Sequence, residues 1–171
     1  SEDYFFTFNY TSVLERIYRV PSNHILHIHG GLYPYCDEPP ILGHGNVKKI
    51  KEYREKAERA AEEYDEGKES IYNAVANYYE RTFKNTNECM SFRGIFFRQL
   101  TEVNNVEIIG HSFGEVDMPY FTYLKYCISK NAKWKFYYHS SEDYNAAEKA
   151  VKELELDIVD YEILPSDCFW Q

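Results

Sequence analysis

Four polar clusters in this chain could do chemistry, and each follows an apolar run. Asn9 comes after Tyr4-Phe5-Phe6-Thr7-Phe8, and His29-Gly30 closes His24-Ile25-Leu26-His27-Ile28. Gly110-His111-Ser112 follows Val106-Glu107-Ile108-Ile109, and His139 follows Trp134-Lys135-Phe136-Tyr137-Tyr138. An imidazole titrates near neutral pH, so it can accept a hydroxyl proton or help activate water, and an Asn amide can orient either one. The small residues around Gly110 would let a nucleotide approach the backbone.

Other readings compete for the same residues. Gly110-His111-Ser112-Phe113-Gly114 is literally G-x-S-x-G after a strand, the nucleophile elbow of serine hydrolases. That chemistry needs an acid and then a histidine after the serine, and His139 is the one later histidine. A glycine turn that serves only packing is the plain alternative. His27 and His29, two apart on a strand, are expected to share a face. With His44, Asp37 or Cys36 they could hold a metal, since H-x-H is a common ligand spacing. Nothing further in the pattern supports a metal, and none is expected. His24, His44 and His139 taken singly read as surface or capped residues.

The elements that must position these clusters can be read along the chain. The strand at Tyr4–Phe8 leads to a short helix with Thr11 as N-cap and Val13, Leu14 and Ile17 on one face. Pro21-Ser22-Asn23 breaks it, and a second strand runs from His24 to His29. Leu32 to Gly45 reads as loop with a short extended piece at Ile41-Leu42. Lys48 to Glu69 is a Lys/Glu-rich helix with Ile50, Tyr53, Ala57, Ala60 and Tyr64 at helical spacing. Glu52 with Lys56, and Glu55 with Arg59, are favourable i,i+4 pairs. Gly67 is expected to punctuate it before a second helix carrying Ile71, Ala74, Val75, Tyr78 and Phe83, and a third is expected from Ser91 to about Glu102. Strands at Val106–Gly110, Trp134–Tyr138 and Ile158–Leu164 then alternate with helices, one capped by Asp117 with Pro119 in its first turn and one from Ser141 to Leu154.

That alternation predicts an α/β, Rossmann-like fold: a mainly parallel sheet with helices on both faces. The expectation is one domain over 1–171 with a helical insert at about 46–103. In such a sheet the ligand lies outside the carboxyl ends of the strands, so Asn9, His29, Gly110 to Ser112 and His139 are expected on one rim. The charged helices of the insert read either as a solvated face or as a docking surface for a protein partner.

Composition narrows the classes. Nineteen Lys and Arg against 28 Asp and Glu leave a formal charge of −9, which disfavours nucleic acid as a partner. No apolar run approaches the roughly 20 residues that span a bilayer, and the start has no signal-peptide pattern, so no membrane association is expected. Four scattered cysteines without a C-x-x-C pair suggest reduced thiols in the cytoplasm. An aromatic content of 18% argues for a packed core and against disorder. The sequence sets no oligomeric state and is compatible with a homo-oligomer.

Four motifs together resemble the AbiH family of bacteriophage abortive-infection proteins. They are T-F-N-Y-T-S-V-L-E-R-I-Y (7–18), I-L-H-I-H-G (25–30), I-L-G-H-G (41–45) and I-I-G-H-S-F-G-E-V-D-M-P-Y-F (108–121). That family is in turn similar to sirtuin-like NAD-binding domains, so the resemblance implies NAD as ligand. It implies His29 as catalytic base, with Gly30 beside it, and Asn9 as the group orienting water or ribose. Thr7 matches the sirtuin Thr-Gln-Asn motif along with Asn9, and Gly110 and Ser112 match the Gly-Thr-Ser turn that contacts the dinucleotide, with His111 in place of Thr. Thr11 stands where sirtuins carry Asp, and a four-cysteine zinc module is missing; both argue against deacylation. The family's glycine-rich G-N-G-F-D loop is expected upstream, so the chain reads as the C-terminal part of a longer member. The implied function is an antiphage protein that binds, and in complete form hydrolyses, NAD. Its rival is a catalytically silent nucleotide-sensing or interaction module.

Overall fold

The aromatic run at the start forms a strand because alternate side chains can be buried on a pleated ribbon. A computed structural model of the protein describes residues 3–32 and 38–170. Its contacts resolve into two compact units, Ser1–Cys89 and Met90–Gln171, and the division falls within the stretch where the helical insert is expected.

In the first unit β1 (Phe5–Thr7) pairs in parallel with β2 (Ile25–His27), Phe5 opposite Ile25 and Thr7 opposite His27. Between them lie α1 (Val13–Arg16) and a 3-10 turn at Ser22–His24. Ser12, not Thr11, sits at the α1 N-cap, and no side chain caps it. One further ladder bond, from the Ile28 N–H to the Thr7 carbonyl at 3.2 Å, carries the pairing past β2. The chain then turns sharply, with the Gly30 N–H on the His27 carbonyl at 3.0 Å. Gly30 takes φ +71°, and a Cβ there would strike the Pro39 carbonyl oxygen, so only glycine fits without displacement.

The middle of this unit is a helical hairpin, α2 (Val47–Glu62) and α3 (Glu66–Arg81). Ala57, Ala60 and Ala76 are buried small residues. Arg54 of α2 reaches α3, placing Nε and one terminal nitrogen on the Glu80 carboxylate at 2.9 and 2.6 Å and the other terminal nitrogen on Asn73 at 2.8 Å. The predicted break at Gly67 lies elsewhere: Tyr64 takes φ +56°, and the Asp65 side chain accepts the Lys68 N–H at 3.0 Å as N-cap of α3. A capping carboxylate satisfies an orphan N–H, and Gly67 is simply tolerated in the first turn. The predicted Glu52–Lys56 pair is present at 2.7 Å, whereas Glu55 is paired with Lys51 and Arg59 donates from Nε to the Glu55 carbonyl. The hairpin's two feet meet in one parallel bridge between His44 and Phe83. Gly43 sits so close to Thr82 that a Cβ would strike its carbonyl oxygen. Ile41-Leu42, expected as a short extended piece within a loop, is not part of a strand, and the bridge lies at His44.

In place of one helix from Ser91 to Glu102 there are two short ones, α4 (Thr86–Phe92) and α5 (Gly94–Arg98), separated by Arg93 at φ −108°. The second unit continues with β3 (Asn105–Ile109), α6 (Met118–Cys127), β4 (Lys133–Tyr138), α7 (Ser141–Glu153) and β5 (Tyr161–Pro165). The strands lie in the order β3-β4-β5, all parallel, with Ile108 opposite Phe136 and Phe136 opposite Ile163. On one face Trp134 and Phe136 are almost fully buried, and Phe113 bridges Phe136 to Phe121 of α6 at ring separations of 5.7 and 5.3 Å. Tyr138 on that face meets Tyr144 of α7 at 5.2 Å. On the opposite face Phe169, from a 3-10 segment at Ser166–Trp170, packs on Tyr137. The fold is therefore α/β with parallel strands and helical cover on both faces, the Rossmann-like class expected from strand–helix alternation.

Candidate functional site

Each unit carries a polar cluster at the carboxyl end of parallel strands. At the β1–β2 end, the Asn9 side chain is exposed and its backbone is fixed at both ends. The Asn9 N–H donates to Thr7 Oγ1 at 3.1 Å, and its carbonyl accepts from His27 Nδ1 at 2.8 Å. Thr7 thus serves as a local turn-former. The other His27 nitrogen, Nε2, lies 2.8 Å from Glu15 Oε1 on α1. A carbonyl is only an acceptor, so Nδ1 carries a proton, and the imidazole and the carboxyl share the one between Nε2 and Oε1.

His29 is placed differently from the sequence expectation. It is 3% exposed, not solvent-facing, and it lies past the end of β2, in the turn that follows His27. The His29 ring meets the edge of Phe8 at 5.6 Å, and Lys84 Nζ stands 3.3 Å from Nε2 and 3.4 Å from Nδ1. Its carbonyl accepts the Ile41 N–H at 2.8 Å, and the Leu32 N–H reaches the Tyr10 carbonyl at 2.8 Å, tying the following segment to β1's loop.

At the carboxyl end of β3, Gly110 takes φ +64° with nothing within 4 Å of where a Cβ would lie, and Ser112 is exposed beside it. His111 is turned inward. Its Nδ1 accepts the Phe113 N–H at 2.9 Å, its Nε2 lies 3.7 Å from Asp117 Oδ2, and its ring packs between Phe113 and Phe121. His139, past the end of β4, has Nδ1 3.4 Å from Ser166 Oγ past the end of β5. Hydrogen bonds from the Ser140 side chain and the His139 and Ser140 N–H groups hold the Asp143 carboxyl below its ordinary range. The nucleophile-elbow geometry is not formed: the positive φ falls on Phe113, and His139 pairs with Ser166 instead of Ser112. Among the described residues no three His, Cys, Asp or Glu side chains gather as a metal site, while Cys36 and Asp37 lie outside those residues.

The family model for bacteriophage abortive infection AbiH matches residues 1–138. The chain belongs to the AbiH family. No curated protein and no solved structure matches it. As an AbiH member it is a bacterial abortive-infection protein, acting against bacteriophage. The AbiH match covers β1 to β4 and all seven residues singled out from the sequence: Thr7, Asn9, His29, Gly30, Gly110, His111 and Ser112. It stops at Tyr138, just short of His139. No helix among the described residues of this AbiH chain is long and apolar enough to cross a membrane. Two neighbours of the first cluster escaped sequence reasoning. Glu15 lay within a helical pattern as one polar residue among others, and Lys84 sits in a polar stretch with no local signal of burial.

Proposed function

We propose that this AbiH protein works in the cytoplasm through a dinucleotide of the NAD type, which it binds and hydrolyses. The observation that supports this reading is that Asn9 and His29 each lie two residues past the carboxyl ends of adjacent parallel strands, where Thr7 stands opposite His27, and that the ring of Phe8 touches His29. In the reaction water adds to the ribose as the glycosidic bond to nicotinamide breaks, releasing nicotinamide, ADP-ribose and a proton. Asn9 orients the water or the ribose hydroxyl, and His29 takes the proton. Removing a general base of this kind typically costs 10²–10⁴-fold in rate. Gly30 keeps the turn tight beneath His29. In the second unit, the open left-handed Gly110 and the exposed Ser112 are the groups suited to contact a nucleotide, with His111 supporting the loop from within.

The test is cellular NAD after infection, beside plaque counts and soluble protein level. Wild-type protein should protect while NAD falls. Asn9→Ala should abolish both with the protein still soluble, and Ile108→Asp should abolish both by loss of soluble protein. Protection by the wild type with NAD unchanged would overturn the reading. A second reading, a silent sensing or docking module, draws on the outer side of α3, where Ile71 and Tyr78 are 63% and 57% exposed. Unchanged NAD with protection lost on Ile71→Asp would favour it.

A further inference from the structure

Lys84 is 7% exposed, yet among the described residues no carboxylate lies within ion-pair distance of its ammonium. Its contacts are with the two His29 ring nitrogens, at 3.3 and 3.4 Å. An ammonium has three N–H bonds and no acceptor capacity, and one imidazole nitrogen can take only one of them. Buried lysines are almost always paired, because a charge withdrawn from water needs a counter-charge nearby. The backbone that delivers Lys84 is held firmly: its N–H donates to the His44 carbonyl at 2.9 Å, beside the His44–Phe83 bridge. The side chain is therefore delivered to His29 by fixed backbone.

We infer that Lys84, with His29, is the recognition point for an anionic phosphate group of the ligand. The phosphate oxygen accepts the N–H bonds that His29 leaves over and supplies the missing negative charge, so the cation and the catalytic imidazole meet the same molecule. This rests on the NAD reading for the identity of the ligand, while the charge argument stands on Lys84 itself. It also gives the helical hairpin a part in the site, since Lys84 is the first residue after its closing bridge.

The experiment is calorimetric titration of the purified protein with NAD, inorganic pyrophosphate and adenosine, comparing wild type, Lys84→Met and Lys84→Arg, with thermal melting as the folding control. Lys84→Met keeps most of the stem's volume and removes a buried charge, so it should melt no lower than wild type. Expected is at least a tenfold loss of NAD and pyrophosphate affinity in Lys84→Met, partial recovery in Lys84→Arg, and no change for adenosine. Equal NAD affinity in a folded Lys84→Met would overturn the inference and leave the NAD reading intact. Pyrophosphate binding that depends on Lys84, with no binding of NAD, would keep the anion site and remove the NAD reading. A wild type that binds neither NAD nor pyrophosphate would overturn both. Should Lys84→Met fail to fold, Lys84→Arg with unchanged pyrophosphate affinity and no added salt sensitivity counts against the inference, and a drop counts for it.

Discussion

Glu15 and His27 meet at 2.8 Å with only 10% and 7% of their side chains exposed, and the far nitrogen of the same imidazole holds the Asn9 carbonyl. The backbone of a candidate catalytic residue is therefore anchored through a buried acid–imidazole pair on α1. Breaking such a pair from one side leaves the other partner buried and uncompensated, which costs about 3 kcal/mol or more. Glu15→Ala should lower unfolding free energy by about that amount in urea titrations. A loss under about 0.5 kcal/mol would mean that water screens the pair, as at an exposed site.

Two left-handed glycines should respond unequally to the same substitution. Gly110→Ala meets open space and bears only the conformational cost of a non-glycine residue there, roughly 1–2 kcal/mol. Gly30→Ala bears that cost and also collides with backbone carbonyls, one of them Glu38's at 2.8 Å. Equilibrium unfolding should rank Gly30→Ala clearly below Gly110→Ala, and equal losses would show that the Glu38–Pro39 segment yields.

Asn9→Ala and His29→Ala, equivalent on paper, should differ in stability. The Asn9 side chain is exposed and its removal should shift unfolding by less than about 0.5 kcal/mol. His29→Ala empties a buried position and strips Lys84 of its nearest partner, a loss of about 2 kcal/mol or more. His29→Gln, which retains polar atoms in much of that volume, is the variant for separating chemistry from folding in infection assays. Matching melting curves for the two alanine variants would contradict the buried placement of His29.

Acid should loosen α2 through Glu52. Hydrogen bonds from Lys49 and then Lys56 hold its carboxyl down at about 2, against an ordinary 4.5. The folded state therefore binds this proton less readily than the unfolded one, so the contribution is complete above about pH 4.5 and is lost as pH falls towards 2. The carboxyl carbon shift of Glu52 followed by NMR should show a midpoint well below 4, moving upward at 1 M salt because the group is solvent-screened. An unshifted midpoint near 4.5 at low salt would remove both lysine contacts from the folded state in solution.

Local rules carried much of the fold. The helices α2, α3 and α7 announce themselves by 3.6-residue periodicity, and Ser140 with Asp143 forms the capping box that starts α7. Strand positions were legible because β3, β4 and β5 are short apolar runs bounded by polar loops. Boundaries were not, wherever one residue's φ decides them. Tyr64, at φ +56°, ends α2 where Gly67 looked the better breaker, and Arg93 splits a helix whose apolar pattern is continuous. The strand was read on to His29, whereas β2 ends at His27 and His29 lies in the turn that follows. Lys84 and Glu15 illustrate a second limit. Each meets its histidine through the fold, across 55 and 12 residues of chain, and nothing in the flanking sequence announces either contact.

The bridge between His44 and Phe83 has a consequence for how long the helical arm can be. Because the chain leaves and re-enters at neighbouring backbone, with Gly43 pressed against Thr82, the bridge fixes only the arm's neck. Chain-closure entropy grows with the logarithm of length, so doubling the excursion would cost only about 0.6 kcal/mol. Matched extra turns in both helices would offset that cost by their own packing. The arm's reach is thus almost thermodynamically neutral, free to drift while the neck stays pinned.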